Sequence, residues 1–292
     1  MDCRVRLIQS DAALGDLGAN LERHSSAIGE AARDGIDLVV FPELSLTGFF
    51  LKDQTAEVAL ALDAPEVLEL AQRSRDVSFV VGLVERARDG RLYNASCLFE
   101  DGALAHVHRK VHLVSYGMFE EGRDLAAGES FRVAESKHGR FGILTCEDMW
   151  HVPGGYLYFL DGADALLVPS AGPGRGVAEG EPQLESVRVW RTLQDAAALL
   201  YRTWVLYANR IGWEDGVAFG GGTRAVDPFG RPAGELTGLD AGGLDVRIDS
   251  DTLQHARVQT PLRRDEKPWL LARELLARTG FDALAERGSF EE

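Results

Sequence analysis

Apolar and polar positions alternate in short blocks along the whole chain. Residues 4–10 follow the two-residue period of a strand, 18–34 carry helical periodicity closed by Asp34-Gly35, and 36–42 form an apolar run of buried-strand length. Pro65 suits the first turn of a helix at about 65–75, and 77–84 is again strand-like. Asp89-Gly90 predicts a hairpin turn into 92–100, and Asp101-Gly102 a second turn into 103–111, so this part is a meander. Past an apolar run at 141–146 the pattern predicts a helix at 154–162 and a strand at 165–169. A glycine-rich loop at 171–182, an amphipathic helix at 183–202 and a strand at 203–211 follow. Gly220-Gly221-Gly222 precedes another short strand, and Asp227-Pro228-Phe229-Gly230 predicts a turn with proline in its second position. No repeat, linker or low-complexity block divides the sequence. The expectation is one α/β domain over 1–292, with 265–292, carrying Trp269 and a Leu/Ala-rich helix, as a helical tail.

With 292 residues, 45% of them hydrophobic, the chain can bury a sizeable core. A formal charge of −15, without a dense basic block to offset it, argues against nucleic acid and anionic membranes as partners. No stretch approaches the roughly 20 apolar residues of a membrane span, and the N-terminus lacks the look of a secretory signal. Three cysteines, an odd and sparse count, favour a reducing compartment. A cytoplasmic location is expected.

Three apolar runs each deliver one chemically useful residue: Leu38-Val39-Val40-Phe41-Pro42-Glu43, Val107-His108-Arg109-Lys110-Val111-His112-Leu113, and Phe141-Gly142-Ile143-Leu144-Thr145-Cys146. A thiol attacks as thiolate, so it needs a base or a positive charge beside it, roles that suit Glu43 and Lys110. The backbone N–H of Glu147 follows the thiol and could bind the negative charge that attack creates. Taken singly, Cys146 reads as a small buried hydrophobe, Glu43 as a turn cap and Lys110 as an edge-strand charge. Cys3 and Cys97 read as core. Gly172-Pro173-Gly174-Arg175-Gly176 lacks a P-loop ending and better suits a substrate-facing loop than a phosphate cradle. A rival arrangement is a zinc hydrolase, with His106 and His108 on one strand face and His112, Asp148 or His151 completing the ligands. Without an assigned third ligand it is a weak signal, and no metal or cofactor is predicted.

Phe41-Pro42-Glu43-Leu44, Arg109-Lys110-Val111-His112-Leu113 and Leu144-Thr145-Cys146-Glu147-Asp148, in that order, resemble the nitrilase, or carbon–nitrogen hydrolase, superfamily. The late segment from Gly220 to Gly230 is similar to that family as well. The resemblance implies a four-layer α-β-β-α sandwich, Cys146 as nucleophile, Glu43 as general base and acid, and Lys110 as stabiliser of the tetrahedral intermediate. It also implies a second glutamate, Glu121 with Glu120 as the alternative, and a thioester acyl-enzyme formed from a small amide. Homodimerisation, with C-terminal segments across the interface, is implied too. Within the superfamily, Tyr116-Gly117-Met118-Phe119-Glu120-Glu121-Gly122-Arg123 and Cys146-Glu147-Asp148-Met149-Trp150 resemble the glutaminase domain of glutamine-dependent NAD synthetases. Tyr116 then falls in the pocket, and Trp150, four residues past Cys146, suits the pocket wall or the core beneath it. A glutamine-binding Ser-Pro pair reads Gly172-Pro173 here, with Ser170 or Arg175 as nearby substitutes. A glutaminase subunit for a separate synthetase, a nitrilase and an inactive nitrilase-fold binding subunit are the remaining alternatives. Acidic and aromatic residues in 115–125, 147–156 and 171–182 point to a polar substrate group, such as a cation.

Overall fold

A computed structural model describes residues 1–176 and 184–279. The expected loop from 177 to 182, the first residue of the expected helix at 183, and the tail from 280 onward lie outside the described residues. Among the described residues no helix is long and apolar enough to cross a membrane.

Two six-stranded sheets form the centre. The first contains β1 (Asp2–Gln9), β2 (Leu38–Val40), β3 (Ser78–Arg86), β4 (Leu92–Glu100) and β5 (Ala103–Arg109). The second runs from β6 (Ala134–Ser136) through β7 (Gly139–Ile143) and β8 (Ala165–Ser170) to β9 (Trp204–Asn209). After a small hairpin of β10 (Trp213–Glu214) and β11 (Val217–Ala218), the second sheet is completed by β12 (Arg224–Val226) and β13 (Pro232–Glu235). β14 (Gly242–Asp249) returns to the first sheet and pairs antiparallel with β1 over its full length.

Alternation in β1 explains the layering. Cys3, Val5 and Leu7 point inward and meet Phe141, Ile143, Leu167 and Leu206 of the second sheet in a shared core. On the other face Arg6 pairs with Asp34 and Asp245. The outer face of the first sheet is covered by helices α1 (Leu17–Arg33) and, after the short α2 (Thr55–Val58), α3 (Pro65–Arg73). The short α4 (Glu121–Asp124) lies in the segment between the sheets, and α5 (Val152–Asp161) and α6 (Glu185–Tyr201) cover the second sheet. The result is the expected α-β-β-α sandwich.

Several boundaries moved. β5 ends at Arg109, so Lys110 sits just past the strand. Sequence patterning missed β14, although Leu244, Val246 and Ile248 alternate with charged residues. Its partner β1 lies at the other end of the chain, which no local window can reveal. The central parallel strands β2 and β8 are buried on both faces, and Glu43 and Ser170 stand at or just beyond their C-terminal ends, where open α/β sheets place their ligands.

Candidate active site

Glu43 is carried by a tight turn after β2. Leu44 adopts a left-handed φ of 46°, and the turn lies directly on Gly82 of β3. A Cβ at Gly82 would come within 2.3 Å of the Leu44 nitrogen and 2.9 Å of the Pro42 carbonyl oxygen, so the approach requires glycine. Leu46 N–H donates to the Gly82 carbonyl at 3.0 Å. α1 supports the same turn from outside: Asn20 Nδ2 donates to the Leu46 carbonyl at 2.9 Å, and His24 Nε2 lies 3.0 Å from Ser45 Oγ. Burial lowers the His24 pKa to about 4, so the ring is neutral.

Lys110 Nζ sits between two carboxylates. It lies 2.8 Å from Glu43 Oε1, and 2.9 and 2.8 Å from Glu121 Oε1 and Oε2. Asn94 of β4 donates to Glu43 at 2.8 Å and to Glu121 at 3.2 Å, tying the two acids together. Val114 N–H donates to Glu121 Oε2 at 2.7 Å, and Ala171 N–H to Glu43 Oε2 at 2.9 Å. Burial opposes the charge on Lys110, yet the Glu121 and Glu43 carboxylates outweigh it and hold the ammonium well above its ordinary pKa. Burial, with the Glu43 charge adding to it, raises Glu121 against the pull of Lys110.

Cys146 follows β7 with φ of 48°, a left-handed backbone unusual for a non-glycine residue, and opens a 3₁₀ turn to Trp150. Thr145 and Asp148 cap this turn reciprocally. Asp148 also anchors it to the Lys110 segment. Its Oδ1 accepts from Val111 N–H at 3.1 Å and His112 N–H at 2.9 Å, and its Oδ2 lies 2.8 Å from His108 Nε2. Burial would raise the Asp148 pKa, but His108 and His112 overcome it and hold the carboxyl below its usual range. Burial and the Glu43 charge push the thiol up, while Lys110, Ser170 and Ala171 N–H pull the other way. In the resting site Cys146 is therefore a thiol waiting for a base. Ser170 Oγ is close enough to influence both Cys146 and Tyr207, yet it makes no hydrogen bond of good geometry.

A cavity of about 310 Å³ opens above the thiol and reaches Lys110, Tyr116, Glu147 and Trp150. Tyr116 is 61% exposed at its mouth and donates to Glu147 Oε1 at 3.0 Å. Ser170 does not line this cavity and is fully buried. A family model for carbon-nitrogen hydrolases matches residues 4–258. The chain belongs to the carbon–nitrogen hydrolase family. An (R)-stereoselective amidase from a Pseudomonas species is 33% identical over 90% of this chain and 91% of its own. A glutamine-dependent NAD(+) synthetase from Thermotoga maritima is 29% identical over 89% of this chain, which spans only 44% of the synthetase. The glutamate-to-glutamine mutant of the amidase from Nesterenkonia sp. AN1, solved with the acetamide moiety of fluoroacetamide covalently added at its active-site cysteine, is 28% identical with a TM-score of 0.73. That match covers 91% of this chain and 97% of the amidase.

This carbon–nitrogen hydrolase thus brings together Glu43, Lys110, Glu121 and Cys146, and sets Tyr116, Glu147 and Trp150 around one cavity. Glu120 is not among the partners of Lys110, which are Glu43 and Glu121. The histidines form no shared ligand shell: His108 and His112 are spent on Asp148, and His112 stacks on His151 at 3.8 Å. Among the described residues no group of three or more His, Cys, Asp or Glu is disposed to hold a metal ion. Cys3 and Cys97 are fully buried in the core. Sequence reasoning missed Asn94, whose only signal was an amide among the strand residues of β4. It also missed Phe49, Phe119 and Trp190, which line the cavity from three separate segments.

Proposed function

We propose that this hydrolase is an amidase acting through a Cys146 thioester, with Glu43, Lys110 and Glu121 as its other catalytic parts. The observation that carries the reading is the Lys110 ammonium, held between two buried carboxylates, Glu43 and Glu121, and lining the same cavity as the Cys146 thiol. Glu43 takes the thiol proton as sulfur attacks the amide carbon. The negative charge then forming on the carbonyl oxygen is met by Lys110 and by the Glu147 N–H. Glu43 returns the proton to the departing nitrogen, releasing ammonia or an amine and leaving the acyl group on sulfur. Water deprotonated by Glu43 attacks the thioester, and the acid leaves as the thiol is restored. Glu121 fixes Lys110. The covalent addition at the cysteine of the glutamate-to-glutamine mutant of the Nesterenkonia amidase supports a nucleophilic role for Cys146.

The test is ammonia release from a panel of amides, nitriles and glutamine by wild type and Cys146→Ala, with and without a chelator. Amide turnover that needs Cys146 and ignores the chelator is expected. Nitrile turnover alone would replace the amidase by a nitrilase. Glutamine turnover rising with an added synthetase would make the chain an ammonia-supplying subunit. Homodimerisation is supported by apolar side chains exposed on the helices outside the second sheet and at the C-terminal end, among them Leu200, Val258 and Trp269. Light scattering should give twice the chain mass. We place the enzyme in the cytoplasm, where its three unpaired cysteines would remain reduced.

A further inference from the structure

We infer that the substrate is the amide of a bulky apolar acid, aryl or branched alkyl, and that Trp190 seated over Gly172 sets this preference; the inference rests on the acyl-enzyme reading above. The cavity over Cys146 is walled by Phe49, Val114, Phe119, Trp150, Val189 and Trp190. These rings brace one another. Phe49 meets Phe119 edge to face at 5.6 Å, Trp150 meets Trp190 at 5.5 Å and 80°, and Trp190 leans on Tyr207 at 4.8 Å. Such a wall is preorganised rather than formed around the ligand.

Gly172 explains how Trp190 comes to be there. A Cβ at 172 would lie 2.9 Å from Trp190 Nε1 and 3.1 Å from Tyr207 OH, so no side chain fits between them. The Gly172 backbone is pinned by its N–H to Asn209 Oδ1 at 2.8 Å. Position 172 therefore offers the cavity backbone and indole in place of a polar side chain. The acids nearby are also occupied: Glu147 accepts from Tyr116, and Glu185 pairs with Arg188. A charged or zwitterionic acyl group would lose its water against aromatic walls with little to replace it, whereas an apolar one gains by leaving water. Arg175 lies by Phe119, its guanidinium 5.8 Å from the ring centroid, and is the cation by which an acidic tail could be held instead.

The experiment measures kcat/KM for acetamide, butyramide, phenylacetamide, glutamine and succinamate, with intact-mass detection of the acyl-enzyme for each, in wild type, Trp190→Ala and Trp190→Phe. Each buried methylene should raise kcat/KM by about fourfold, and phenylacetamide should exceed acetamide by roughly 10- to 100-fold. Trp190→Ala should erase most of that advantage, and Trp190→Phe should keep part of it, which guards against an alanine variant that fails to fold. A preference for acetamide, glutamine or succinamate with Cys146 still acylated would overturn the substrate class and leave the amidase reading standing. If no amide acylates Cys146, both fall.

Discussion

Gly82→Ala tests whether the distance between β3 and the Glu43 turn controls catalysis. The added methyl would begin 2.3 Å from the Leu44 nitrogen and 3.0 Å from the Glu43 carbonyl carbon. Ordinary contact distances for such atoms are about 3.5 Å, so the turn must retreat by about 1 Å. Pro42 and the left-handed Leu44 stiffen the turn, and it therefore moves as a unit and takes Glu43 with it. Overpacking of this kind costs about 1–3 kcal/mol of stability. A shift of about 1 Å in a reacting group costs on the order of 100-fold in rate. The expected outcome is a folded enzyme with a moderately lowered melting temperature and a kcat reduced by about 100-fold. Gly90→Ala is the control. Its Cβ meets nothing within 4 Å and its hairpin lies far along the chain from the turn, though its φ of 86° will cost some stability. Ammonia release and a thermal melt on both variants decide the matter. Wild-type kcat in Gly82→Ala would refute the reasoning.

Other perturbations probe the remaining contacts. Lys110→Met leaves Glu43 and Glu121 side by side without their shared cation and removes an oxyanion donor; kcat should fall by about 100-fold or more, with the acid limb of its pH profile moved upward. Asp148→Asn keeps the shape but loses the charge that His108 and His112 face; it should cost about 2–4 kcal/mol in a urea titration and slow turnover by loosening the Cys146 turn. His24 is held neutral with its pKa lowered to about 4 from 6.5. Between those values the unfolded chain binds a proton that the folded chain refuses. Stability should therefore fall by about 3 kcal/mol as pH drops from about 6.5 to about 4, and His24→Asn should flatten that slope in urea titrations at several pH values. Incubation with EDTA should leave amide turnover unchanged, since His108 and His112 are engaged with Asp148 and His151 stacks on His112; loss restored by zinc would revive the metal reading.

Much of this was legible because the chemistry sits where local patterns end. Glu43 and Cys146 each follow an apolar run, Lys110 follows the alternating strand β5, and the Asp89-Gly90 hairpin was marked by its turn residues. What escaped is what long-range packing decides. Asn94 acquires its role only when β4 brings it between two acids distant in sequence. Gly82 looks like a weak point in a strand until the Glu43 turn rests on it. Ser170, offered with Arg175 as a substitute for the family's serine, is buried and off the cavity lining, because a strand-end side chain can face either side and sequence does not say which. The acidic loops suggested a site for a cation, whereas the apolar substrate we infer rests on the aromatic walls, which only the packing of distant segments reveals.

The most direct test of the mechanism is rapid-quench intact-mass spectrometry of the enzyme turning over its best amide, in wild type and Cys146→Ala. The account predicts an adduct whose mass equals the acyl group replacing one hydrogen, mapping to Cys146, forming no slower than kcat and absent from the variant. Steady amide hydrolysis by Cys146→Ala, or an adduct that maps to another residue, would contradict it.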